Sequence, residues 1–136
     1  MIESLLKTLC SDLEIDTLPV KEENGSYQCA LSPEITIEMR ELDPGISFFS
    51  KIAPCPLLKR EELFMYLMKA NLLGQGTGGA TLAMDENENF LTLSLVLPYD
   101  MNYKTFKDAL EDFANYLDFW KAELIRHQKT AEQPLI

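Results

Sequence analysis

At 136 residues, 46% hydrophobic and 25% charged, the chain is long enough for one domain with its own core and too apolar to stay disordered. Lys and Arg number 12 against 22 Asp and Glu, a formal net charge of −10. That balance argues against an electrostatic grip on nucleic acid, which needs cations to displace phosphate counterions, and against adhesion to an anionic membrane.

Taken in chain order, Ile2, Leu5, Leu6, Leu9 and Leu13 recur at helical spacing and predict an amphipathic helix over about 2–13. No basic flank and long apolar run precede it, so the N-terminus reads as neither a secretion signal nor an anchor. Asn24-Gly25 lies between Leu18–Lys21 and Ser26–Leu31 and predicts a tight hairpin, because Asn-Gly accepts positive φ. Ile35, Ile37 and Met39 alternate with polar residues as a half-buried strand. Asp43-Pro44-Gly45 turns the chain into a further strand in which Ile46, Phe48, Ser50 and Ile52 share a face.

Pro54-Cys55-Pro56 ends the sheet pattern. A second helix is predicted over about 58–72, with Leu63, Phe64, Leu67, Met68 and Leu72 apolar and Gly74 placed to stop it. Ala80–Met84 and Phe90–Leu97 read as strands around the polar turn 85–89. A final helix, capped by Asn102 and carrying Phe106, Leu110, Phe113, Leu117, Trp120 and Leu124, is predicted to about His127. The expected class is α+β: helix, three or four strands, helix, two strands, helix, with a mainly antiparallel twisted sheet packed by three helices. Residues 1–127 are expected to form one domain and 128–136 a loosely ordered tail.

Motifs of known chemistry fail on inspection. Gly74-Gln75-Gly76-Thr77-Gly78-Gly79 has dinucleotide-loop spacing, but a phosphate loop needs a strand before it and a helix after it, and here the order is reversed. Asp85, Asn87 and Asn89 start like a calcium loop, yet Phe90 stands where glycine is required and Val96 where glutamate is required. Cys10, Cys29 and Cys55 are odd in number and without metal spacing, which suits reduced thiols in a cytoplasmic protein. His127 has no nucleophile or carboxylate tied to it by spacing. Glu61-Glu62 and Glu111-Asp112 are adjacent on helices and do not face each other. The residues assemble no catalytic, cofactor or metal site, and the chain is expected not to be an enzyme.

The run Leu67-Met68-Lys69-Ala70-Asn71-Leu72-Leu73-Gly74-Gln75-Gly76-Thr77-Gly78-Gly79-Ala80-Thr81-Leu82 resembles the central signature of class I type III secretion chaperones, the CesT/Tir chaperone family. The acidic hairpin, the strand ending Leu95-Val96-Leu97-Pro98 and the long last helix with Trp120 extend the likeness. The resemblance implies an ATP-independent, cytoplasmic bacterial chaperone without cofactor. It would bind the N-terminal region of one or more secreted effectors in extended form, and pair with itself or with a sister chaperone. It further implies a dimer surface at Leu63, Phe64, Leu67 and Met68, and client contacts at Leu5, Leu9, Ile35, Ile37 and Phe48. A regulatory protein of the same fold, sequestering a regulator of transcription or secretion, is the alternative.

Overall fold

The computed structural model describes residues 1–87 and 89–132; Glu88 of the expected acidic hairpin and residues 133–136 of the expected tail lie outside the described residues. The elements run α1 (Ile2–Asp12), β1 (Ser26–Ser32), β2 (Ile35–Leu42), β3 (Gly45–Pro54), α2 (Arg60–Asn71), a 3-10 turn (Leu72–Gly74), β4 (Thr81–Met84), β5 (Phe90–Leu97) and α3 (Tyr103–Glu132). The strands form one antiparallel sheet in the order β1-β2-β3-β5-β4, so β1 and β4 are its edges. The chain divides into two compact units, one of residues 1–50 with 95–113, the other of residues 51–94 with the chain from Ala114 onward.

In the first unit, alternation decides the core. Tyr27 pairs with Met39 and Cys29 with Ile37 across β1 and β2, and Met39 pairs with Phe48 across β2 and β3. All five are buried, as period-two side chains on one face require. The α1 face Ile2, Leu5, Leu6, Leu9 and Cys10 is buried too. Phe48 lies edge-on to Phe106 at 6.0 Å and tilted to Phe113 at 5.5 Å, which ties the sheet to the first half of α3. Asp12, past the last apolar turn of α1, accepts from Tyr103 and from Lys107, each at 2.7 Å. The Lys107 ammonium first, and the Tyr103 hydroxyl second, hold the Asp12 carboxyl below its usual range.

Gly45 shows why its turn needs glycine. Its φ is +111°, and a Cβ there would collide with the Leu97 carbonyl. The expected first hairpin forms only in part. β1 exists, but its partner arm is reduced to a lone bridge between Lys21 and Tyr27.

In the second unit, α2 starts at Arg60 rather than Leu58 because Lys59 takes a left-handed conformation, φ +52°. Asn102, in the first unit, caps α3 as its position predicts, accepting from the Thr105 N–H at 2.9 Å. α3 continues five residues past His127, to Glu132, so part of the expected tail is helical. Trp120 is buried and donates to the Gly76 carbonyl at 3.1 Å. A Cβ on Gly76 would lie 2.8 Å from that of Ala70, and one on Gly78, at φ +64°, would strike the Tyr116 ring. The glycine-rich loop is therefore a close-packed joint. Its backbone carbonyl serves the Trp120 indole, and its glycines admit the side chains of α2 and α3.

Candidate protein-binding surfaces

α2 carries apolar residues on two sides. At about 100° per residue, Leu63, Leu67 and Ala70 form one stripe, and Met65, Met68 and Leu72 form a second, opposite one. The structure buries the first stripe within the chain and leaves the second in solvent, with Met68 71% exposed. Of the residues expected at a dimer surface, Leu63 and Leu67 are buried, Phe64 is half-buried and Met68 is exposed. Met65 and Leu73 were not singled out by periodicity, which ranks a stripe without saying which side is covered.

Leu73 is the least ordinary residue of this surface. It is 87% exposed and sits at φ +55°. A left-handed leucine costs on the order of 1–3 kcal/mol, and its side chain gains no burial in return. The loop enforces the conformation: Gln75 donates to Leu72 at 3.1 Å, and Gly76 donates to Ala70 at 2.9 Å. The result is an apolar side chain held outward beside Met68 and Leu72 in sequence, on a protein that is otherwise strongly acidic.

The expected client residues lie elsewhere than on an open surface. Leu5, Leu9, Ile35, Ile37 and Phe48 are all buried in the first unit, at 9% exposure or less. Around them solvent reaches the β1 edge at Gln28 and Ala30, past the buried Ser26. Ser26 turns its backbone outward from β1, donating to the Asn24 side chain at 3.0 Å and accepting from Glu22 at 2.8 Å. By strand alternation Gln28 and Ala30 turn the same way, and both are exposed.

The β4 edge is different. Asn71 places its side-chain amide against Leu82, with Oδ1 accepting from the Leu82 N–H and Nδ2 donating to the Leu82 carbonyl, each at 2.8 Å. A primary amide thus imitates the next strand's backbone and closes the edge at that residue. Asn71→Ala is expected to cost about 2–3 kcal/mol in urea unfolding, since two hydrogen bonds go and two backbone groups lose their partner. A cost below about 0.5 kcal/mol would show that the closure matters little.

The remaining chemistry-bearing groups are occupied structurally. Asp85 accepts from the backbone of Asn89 and of Phe90, at 2.9 and 3.2 Å, and so closes its hairpin. His127 Nε2 lies 3.2 Å from the Leu58 carbonyl, bracing the segment before α2. Among the described residues, no cluster of three or more His, Cys, Asp or Glu could hold a metal ion, and no helix is long and apolar enough to cross a membrane.

Cys10, Cys29 and Cys55 are buried free thiols. Burial, and then the neighbouring Cys10, push the Cys29 thiol up to about 11. At pH 8 roughly one such thiol in a thousand is ionised. Iodoacetamide is expected to leave Cys29 unlabelled in the folded protein at pH 8 and to label it in urea. Rapid labelling of the folded protein would contradict this placement.

The family model for the Tir chaperone protein (CesT) family matches residues 4–121. The Chlamydia pneumoniae protein CPj0713/CpB0740 is 24% identical over 126 residues, covering 91% of this chain and 96% of its own length. A chain of the HopA1-SchA chaperone-effector complex is similar at a TM-score of 0.67 and 14% identity, over 89% of this chain and 93% of that one. A chain of the heterodimeric ExoU-SpcU complex from the type III secretion system of Pseudomonas aeruginosa is similar at 0.66 and 16% identity, over 93% and 96%. Both likenesses are of fold.

Proposed function

The chain belongs to the Tir chaperone protein (CesT) family, and from that premise we propose that it is a type III secretion chaperone of the bacterial cytoplasm. It binds the N-terminal region of secreted effectors, keeps that region extended and ready for export, and is not an enzyme. The family match across 4–121 carries the reading, since it spans the sheet, α2 and the helices flanking them. The exposed apolar residues on α2 and beyond it supply surface of the kind protein partners need. An extended client loses chain entropy on binding, so main-chain pairing at a strand edge and wide apolar contact have to offset that loss. Binding proceeds without ATP on this reading, because the glycine loop is filled by packing against Trp120 and Tyr116.

The protein works as a homodimer on the same reading, with Phe64, Met68 and their exposed neighbours Met65, Leu72 and Leu73 at the contact. Leu63 and Leu67 support that surface from beneath. Met68→Asp is expected to leave the unfolding midpoint within about 0.5 kcal/mol, as suits an exposed position. It is expected to weaken dimerisation by 100-fold or more, the equivalent of about 3 kcal/mol for a charge buried without a partner. Sedimentation equilibrium reads both forms; an unchanged dimer constant would remove α2 from the interface.

The function itself is tested by affinity capture of the tagged protein from the cells that make it, followed by limited proteolysis of what is captured. A protected N-terminal segment of a secreted protein is expected. Capture of a transcription factor or its inhibitor with no secreted protein would replace the reading by the regulatory one.

A further inference from the structure

One long run of this acidic chain carries no carboxylate. Asp and Glu number 22 among 136 residues, yet none falls between Glu62 and Asp85, where the single charge is Lys69. The large apolar side chains exposed in that run are Met65, Tyr66, Met68, Leu72, Leu73 and Met84. Two copies of a chain with net charge −10 repel each other wherever their carboxylates meet, so contact between copies is least opposed here.

Within the run, Leu73 holds a backbone conformation that suits glycine. φ is positive at Gly74 (+69°), Gly78 (+64°) and Gly79 (+89°), where the absence of a Cβ makes it cheap, and also at Leu73 (+55°), where it is strained. The bonds on either side keep it there. Before it, Asn71 is pinned to the Leu82 backbone by both ends of its amide, each at 2.8 Å. After it, the Gly74 carbonyl accepts from the Thr77 and Gly79 N–H groups, each at 3.3 Å, and Trp120 donates to the Gly76 carbonyl at 3.1 Å. The loop thus fixes a leucine that is 87% exposed in a state glycine would occupy freely.

We propose that Leu73 is a pre-strained anchor for a second copy of this chain. The loop holds its side chain in solvent in the lone protomer, and assembly buries it against the carboxylate-free run of the other copy. Leucine at this position lowers the protomer's own stability and raises its affinity for the second copy, because a backbone already fixed loses little freedom on binding. The inference rests on the homodimer reading and deepens it, by naming the residue at which stability and assembly are opposed.

Two variants of the full chain separate strain from side chain. Leu73→Gly removes both, whereas Leu73→Ala removes the apolar group and keeps a Cβ in the left-handed region. Urea unfolding is read in the Met68→Asp background, where weakened assembly leaves the protomer to be measured. Sedimentation equilibrium is read in the otherwise unaltered chain. Leu73→Gly is expected to raise the folded-to-unfolded ratio about threefold and to weaken self-association about tenfold or more. Leu73→Ala is expected to weaken self-association by a similar factor without the gain in stability. A Leu73→Gly protein that is less stable, or that associates as tightly as the unaltered chain, overturns the anchor. If Met68→Asp still separates the copies in that case, the homodimer reading stands without it. An unaltered chain that stays monomeric at micromolar concentration overturns the homodimer reading and the anchor together. One-to-one pairing with a different chaperone in the affinity capture, in place of self-association, does the same.

Discussion

Replacing Trp120 by alanine is expected to lower the thermal unfolding midpoint by roughly 10–20 °C. Trp120 is 1% exposed, so its removal leaves a large cavity in the second unit. Truncations of this kind cost about 3–5 kcal/mol, because lost apolar burial adds to lost packing around the void. Three further contacts go with it. The Gly76 carbonyl loses its donor, and the rings of Tyr66 and Phe119, each 5.3 Å away, lose the surface they rest on. Trp120→Phe keeps an aromatic ring in the site while removing the N–H and the remainder of the indole, and is expected to cost about 1–2 kcal/mol. Calorimetry of both variants checks the order. An alanine variant melting within 3 °C of the parent would mean that the glycine loop and α3 hold together by other means.

Leu9→Glu is expected to abolish cooperative folding of the first unit. Leu9 is 1% exposed on the buried face of α1, among Leu5, Leu6 and Cys10. A carboxylate there has no partner, and burying it, charged or neutralised, costs several kcal/mol against a total stability of about 5–15 kcal/mol. Near-UV circular dichroism should lose its fine structure while far-UV signal persists in part. The contrast with Met68→Asp is the informative one, since the same kind of charge on the outer stripe of α2 leaves the fold intact. A folded, soluble Leu9→Glu protein that has lost only its client would place α1 at the docking surface. The burial of Leu9 argues for the first outcome, so client docking is better tested at the exposed β1 positions Gln28 and Ala30.

Much of the architecture is legible in the residue pattern because its causes are local. The spacing of Ile2 to Leu9 makes α1, the alternation around Ile37 makes β2, and Asn102 caps α3 where a side-chain acceptor is needed. The arm Leu18–Lys21 shows the limit. Its composition suits a strand, but a strand exists only where a ladder forms, and this arm makes an isolated bridge. Lys59 and Leu73 are likewise silent in sequence, since non-glycine residues enter the left-handed region only when surrounding bonds force them there.

The candidate surfaces divide along the same line. The sequence by itself determined the order and type of the elements, the acidic character, and the run from Leu67 to Leu82 on which the resemblance to the family was read. It also determined that α2 carries a broad apolar side from Leu63 to Leu72. Only the tertiary structure decided that Leu63 and Leu67 face inward while Met65, Met68 and Leu73 face water, and that Leu5, Leu9, Ile35, Ile37 and Phe48 fill the core. It alone put Asn71 on the β4 edge and the glycine loop beneath Trp120. Periodicity reports that an apolar side chain recurs at a given angle. Whether that side chain is covered depends on which distant segments pack against it, and those contacts have no signature in the residues nearby.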